Sequence, residues 1–224
     1  MPQHKHIIEP FAGAAAYSVR WGLTHDVWLN DLNPKTFAIW CFLTSAGAVD
    51  AVRTYVPESV EIGQRISDIL PNDAPEGLRY LLQAQCNQGT GGQPGNYNQV
   101  TSMSASSWHS IIPRLTYLCP RIRHWTITNV DYRELANIKG TWFIDPPYNN
   151  TAGNRYAFGS RGIDFAELAQ WCYTREGNTI VCENEGADWM PFEVLCKRRG
   201  VKSRYQVTET PEVVYLSDKT ELPL

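Results

Sequence analysis

Residues 141–150 read TWFIDPPYNN, and the fold turns on how this stretch is read. Thr141, Trp142, Phe143 and Ile144 have the composition of a buried strand. Pro146 and Pro147 carry no backbone N–H, so a sheet ladder cannot run through them. The strand therefore delivers Asp145 to its C-terminal end and stops. A rigid kink follows, ending in the aromatic ring of Tyr148.

Working outward, strands and helices alternate. KHIIEP (5–10) reads as a first strand and Ala14 to Gly22 as the helix after it. HDVWLND (25–31) reads as a second strand. The next helix spans 33–47, with Asn33 as N-cap and Pro34 in its first turn. A helical pattern recurs over 76–85. Residues 87–107 are rich in Gly, Asn, Gln and Ser and read as a long loop, of a length that is usually functional or disordered. A helix around 108–118 is expected to be interrupted by Pro113. HWTITN (124–129) and TWFID (141–145) read as the third and fourth strands.

Beyond the double proline, 163–177 reads as a helix with Asp164 near its start and Gly177 as its stop. NTIVCEN (178–184) is a fifth strand. Residues 187–200 read as a short helix ending in basic residues and Gly200. Residues 202–217 close the chain as a hairpin around Thr210 and Pro211. Alternation of this kind predicts an α/β fold with parallel βαβ units. Residues 1–57 and 123–224 are expected to form the sheet domain. Residues 58–122 interrupt the alternation and are expected to form an inserted, mostly helical recognition lobe.

Composition narrows the function classes. The chain has 224 residues, 43% of them apolar and 19% charged, with a net charge of −3. It is no generic polyanion binder, and any nucleic-acid contact must come from a local basic patch. No apolar run approaches the roughly 20 residues of a membrane span, so a cytoplasmic protein is expected. The six cysteines form no C-x-x-C pair and no cluster with zinc spacing, and no metal is expected.

In open α/β sheets, ligands sit outside the carboxyl ends of the strands. The first such end carries Glu9, Pro10, Phe11, Ala12 and Gly13. A pyrophosphate cradle calls for several glycines, and this turn has one, so an adenosine ligand without phosphates suits it better. Asp31, 18 residues after Gly13, has the spacing of a carboxylate that takes ribose hydroxyls. Asp131 and Tyr132 stand where an adenine amine and ring face are held. As structural alternatives, Asp31 serves the following helix and Asp131 caps a short one.

These motifs, EPFAG (9–13), ND (30–31), DY (131–132), DPPY (145–148) and IVCEN (180–184), together with TPEVVYLSD (210–218), resemble the Dam-like DNA adenine-N6 methyltransferases. The resemblance covers most of the chain at the level of motif order, and DPPY is its most specific part. It implies a Rossmann-like methyltransferase sheet of about seven mostly parallel strands with a C-terminal antiparallel hairpin. It also implies S-adenosylmethionine as cofactor, bound by residues 9–13, Asp31, Asp131, Tyr132 and Asp145. Double-stranded DNA is the implied substrate, with Asp145, Pro146, Pro147 and Tyr148 as catalytic residues. Members usually carry a Gly-Gly-Lys-type element before the first motif. Only eight residues precede Glu9 here, so a homodimer or a partner chain is expected to cover that side. The 87–107 segment lacks the arginine-bearing recognition hairpin of GATC-specific members. It is nevertheless expected to govern base choice.

Phosphate contacts are expected from Lys197, Arg198, Arg199, Lys202 and Arg204, with Arg121 and Arg123 contributing from another surface. The same basic run, read structurally, complements a helix C-terminus. The alternative functions are an N4-cytosine methyltransferase and a non-catalytic adenosine- or DNA-binding subunit. Asp145 disfavours a protein-glutamine methyltransferase, where Asn would fit better. The missing phosphate-binding glycines disfavour a dehydrogenase.

Overall fold

A computed structural model describes residues 1–86, 98–150, 153–155, 158–203 and 206–217. Among the described residues seven strands form one mixed sheet: β1 (His6–Glu9), β2 (Asp26–Asn30), β3 (Thr126–Thr128), β4 (Gly140–Ile144), β5 (Gly177–Asn184), β6 (Glu193–Ser203) and β7 (Gln206–Leu216). Their order is β3-β2-β1-β4-β5-β7-β6. The pairs β1–β2, β1–β4 and β4–β5 are parallel, whereas β5–β7 and β6–β7 are antiparallel. The expected α/β sheet with a C-terminal antiparallel pair is thus present. Among the described residues no helix is long and apolar enough to cross a membrane.

The chain divides into two compact units, residues 1–30 with 130–224, and residues 31–129. In the first, β4 runs through the core. Trp142 and Ile144 are fully buried and pack with Ile8, Leu168 and Val181. The indole nitrogen of Trp142 donates to the Ile138 and Glu176 carbonyls at 3.2 and 3.1 Å, so this buried polar atom is satisfied. α1 (Ala16–Trp21) follows β1. α8 (Phe165–Tyr173) is capped by Asp164, whose Oδ1 accepts from the Ala166 and Glu167 amides.

The second unit holds α2 (Pro34–Thr44), α3 (Ala48–Tyr55), α4 (Ile66–Ile69), α5 (Glu76–Cys86), α6 (Ser102–Trp108) and α7 (Ile111–Leu118). Asn33 caps α2, accepting from the Lys35 amide at 3.0 Å. α2 and α5 approach so closely at Gly77 that a β-carbon there would strike the Ala38 carbonyl.

Three local expectations are corrected. Residues 102–107 are helical rather than loop, because Thr101 and Ser104 form a reciprocal capping box that starts α6. Residues 87–97 of the expected loop lie outside the described residues. Pro113 does not interrupt a helix. It sits in the first turn of α7, where its missing N–H has no intrahelical role. Gly177 does not stop α8, which ends at Tyr173. It opens β5 at φ +101°, pressed against the Gly140 backbone.

The largest correction concerns residues 187–217. The stretch read as a helix over 187–200 contains β6, and Gly200 pairs with Thr208 instead of capping a helix. Pro191 cannot donate within a helix, so it blocks one running through 187–200. The hairpin does not turn at Thr210 and Pro211. Pro211 lies inside β7 opposite Lys197, just past Glu212, where the pairing of β7 with β5 ends. A proline is tolerated there because the strand needs only one partner at that point.

Candidate active site

The expected catalytic residues stand at the mouth of β4. Asp145 follows Ile144 directly and is exposed, Pro146 is buried, and Pro147 and Tyr148 are half-buried. The Tyr148 hydroxyl bonds to the Asp145 carboxylate. Burial first, and the Asp145 charge second, push its phenol far above the ordinary range.

The segment behind the motif is held in place by β5. Glu183 is 1% exposed. Its carboxylate accepts from the Asn149 amide at 3.0 Å, the Trp189 indole at 3.1 Å and the Asn184 amide at 2.9 Å. Asn150 turns the chain back, its amide donating to the Tyr148 carbonyl at 2.6 Å and its Oδ1 accepting from the Gly153 amide at 2.9 Å. A β-carbon at Gly153 would collide with the Tyr148 carbonyl, so the backbone of Tyr148 is fixed from two sides.

At the end of β1, Glu9 is 2% exposed. Its Oε1 accepts from the Ser18 amide at 2.8 Å. Burial pushes its carboxyl up to about 7, and the Asp145 charge adds to the rise. The turn from Pro10 to Ala15 is tied down by Asn30, the last residue of β2. Asn30 Nδ2 donates to the Pro10 and Val130 carbonyls, both at 3.0 Å, while its Oδ1 accepts from the Val130 amide at 3.1 Å. The Asn30 carbonyl accepts from the Ala12 amide at 2.8 Å. One buried side chain thus joins three strand ends. Gly13 is exposed at φ +47°, a conformation that favours glycine, with open space where a β-carbon would sit. Beside this turn Tyr17 stacks on Phe143 with ring centroids 4.5 Å apart. Its hydroxyl is buried and has no hydrogen-bond partner among the described residues.

The remaining expected ligand residues have structural partners. Asp31 Oδ1 accepts from the Asn33 amide at 2.8 Å, which shapes the entry to α2. The Asp131 carboxylate takes both arms of the Arg133 guanidinium, at 2.7 Å each, and caps the short turn over 132–134. These bonds hold Asp131 below the usual carboxylate range. The Tyr132 ring is buried between Phe11 at 5.4 Å and Trp171 at 5.2 Å, so it is a core residue here. Arg121 donates to the Tyr117 carbonyl and lies 3.8 Å over its ring, and Arg123 donates to the Ala46 carbonyl. Lys197, Arg198, Arg199 and Lys202 belong to β6, and Arg204 lies outside the described residues.

Asn30 and Glu183 were not singled out as site residues. Each sits in a short motif already noted, and a charged Glu inside the apolar run of β5 was the available signal. No protein-family model and no curated protein matches the chain.

Proposed function

We propose that this chain transfers a methyl group from S-adenosylmethionine to the exocyclic N6 amine of a flipped adenine in double-stranded DNA. One observation carries the reading. An exposed carboxylate, two prolines and a tyrosine stand at the carboxyl end of a core strand, their backbone locked by Glu183, Asn150 and Gly153.

The adenine amine is a poor nucleophile because its lone pair is delocalised into the ring. The Asp145 carboxylate accepts one amine hydrogen, and the Pro146 carbonyl, stiffened by Pro147, accepts the other. Two acceptors on one nitrogen draw it toward tetrahedral geometry and return the lone pair to it. Tyr148 gives the base a ring face, a contact worth roughly 1–3 kcal/mol. A stacked base cannot reach this mouth, so flipping is required. Fixing the acceptors before the base arrives supplies orientation without reorganisation.

The residues at the β1 end suit the cofactor. Gly13 has open space where a β-carbon would sit, and the Tyr17 hydroxyl is a buried polar atom with no hydrogen-bond partner among the described residues. The turn over 11–13 and the Asp31 carboxylate would hold the adenosine part, and the cofactor supplies the electrophilic methyl. Asp131 is a weaker candidate for the adenine amine, because Arg133 already takes both of its oxygens.

Incubation with a labelled methyl donor and duplex DNA, RNA or protein tests the proposal. N6-methyladenine in DNA is the expected product. N4-methylcytosine would favour the near alternative, in which the same two acceptors serve cytosine. Cofactor binding without transfer to any substrate would leave a non-catalytic subunit.

Two further results are expected. Asp31→Ala weakens cofactor binding by about 1.5 kcal/mol, roughly tenfold in Kd, without changing the base methylated. Calorimetry that finds equal affinity would reduce Asp31 to its contact with Asn33. Lys197, Arg198 and Arg199 lie on one strand, so the helix-dipole account of these charges no longer applies. Changing all three to Gln weakens binding about equally on all duplexes and flattens the salt slope by roughly 0.9 per lost contact. A titration in which the salt slope is unchanged would move the phosphate footprint elsewhere.

A further inference from the structure

We infer that Arg133 masks the Asp131 carboxylate, so that the chain holds its purine nucleoside ligand without reading the 6-amine of the ring. The inference rests on the proposed reading that S-adenosylmethionine binds at the β1 end. It concerns the part of that ligand which the protein leaves unread.

Asp131 is brought to the turn after β1 by Asn30, whose side chain bonds to Val130 on one side and to the Pro10 carbonyl on the other. An adenine amine held at this turn would be expected to meet the Asp131 carboxylate. That carboxylate is already committed. Oδ1 accepts from the Arg133 amide at 3.0 Å and from Arg133 Nε at 2.7 Å, and Oδ2 accepts from Nη2 at 2.7 Å. An ionised carboxylate has about four acceptor positions, and these bonds leave one, on Oδ2. It lies beside the guanidinium, whose positive charge repels the partly positive hydrogens of an approaching amine.

Arg133 is also held at its far side. Nη1 donates to Glu167 Oε2 on α8 at 3.2 Å. A planar fork matched to a carboxylate is pre-organised and loses little freedom for each bond formed. Displacing it would exchange two bonds in which both partners are charged for a single bond to a neutral amine. The adjacent ring offers no alternative contact. Tyr132 is 8% exposed and packs between Phe11 and Trp171, so its faces are taken. The acid and the ring expected to hold the adenine amine and ring face are thus both occupied by neighbours within the same unit.

The test compares two ligands by calorimetry, S-adenosylhomocysteine and the same molecule with hydrogen in place of the ring amine. The parent should bind the two with affinities within about threefold of each other. Arg133→Ala frees Asp131, and the amine-bearing ligand should then be preferred by about ten- to hundredfold, the value of a hydrogen bond to a charged group. Adding Asp131→Ala to Arg133→Ala should return the ratio to the parent's. Glu167→Gln leaves the fork on Asp131 and should keep the parent ratio. Loss of an ion pair with only a structural role would weaken both ligands alike and leave the ratio unmoved. A parent that prefers the amine-bearing ligand by tenfold or more, or an Arg133→Ala ratio equal to the parent's, overturns the inference and leaves the proposed function standing. If the parent binds neither ligand, both fall.

Discussion

Asp145→Ala is expected to lower methyl transfer to duplex DNA by at least about a hundredfold, the loss seen when a fixed group that stabilises developing charge is removed. The fold should be unaffected. Asp145 is exposed beyond the last residue of β4, and the core contacts of that strand belong to Trp142 and Ile144. The mechanism assigns the carboxylate one hydrogen of the target amine, and no other carboxylate follows β4 at that point in the chain. Asp145→Asn should fall between parent and alanine, because its amide oxygen still accepts but carries no charge. The Tyr148 phenol provides a second readout. The Asp145 charge is the second cause of its elevation, so its titration should move down in both variants. Turnover within tenfold of the parent in a well-folded Asp145→Ala protein would remove Asp145 from the mechanism.

The parts of the fold that were legible in the sequence are those fixed by neighbours along the chain. Asn33 before Pro34 and Asp164 before Phe165 cap their helices as their side-chain chemistry dictates. The double proline ends β4 where it must. The 187–217 region misled because its structure is set by pairing at a distance. Glu193 meets Val214 and Val201 meets Val207 across the hairpin. Basic residues before a glycine look like a helix end until a partner strand is supplied. Local propensity is weak in such segments, and register with the partner decides the outcome.

The site divides in the same way. Asp145 and its prolines stood out because no structural role explains that combination. Asn30 did not, since its importance lies in bonds to residues 20 and 100 positions away. Asp131 and Tyr132 were identifiable as a motif, yet their side chains are taken up by Arg133 and by the rings of Phe11 and Trp171. A short acidic-aromatic pair at a strand end therefore serves packing and capping as well as it would serve a ligand, and sequence alone does not separate the two.

Glu9 carries the second large expectation, a stability that falls as the solution becomes less acidic. Its carboxyl rises from an ordinary 4.5 to about 7, with burial the principal cause. Between those values the unfolded chain releases this proton and the folded chain keeps it. Unfolding is then accompanied by proton release, so raising the pH favours the unfolded state. The contribution is fully present below the unfolded value and is lost by the time the folded value is passed. At 1.36 kcal/mol per unit the loss is about 3 kcal/mol. Glu9→Gln keeps an oxygen for the Ser18 amide but cannot ionise. Denaturant unfolding of parent and variant at pH 4 and pH 8 should show the parent losing about 3 kcal/mol more than the variant. The size of the effect is linked to the catalytic mouth, because the Asp145 charge helps to raise Glu9. In an Asp145→Ala background the excess loss should shrink but persist, since desolvation is the larger cause. Parallel pH curves for parent and Glu9→Gln would mean that Glu9 ionises freely in the folded protein. The β1 end would then present a full negative charge to its ligand at neutral pH.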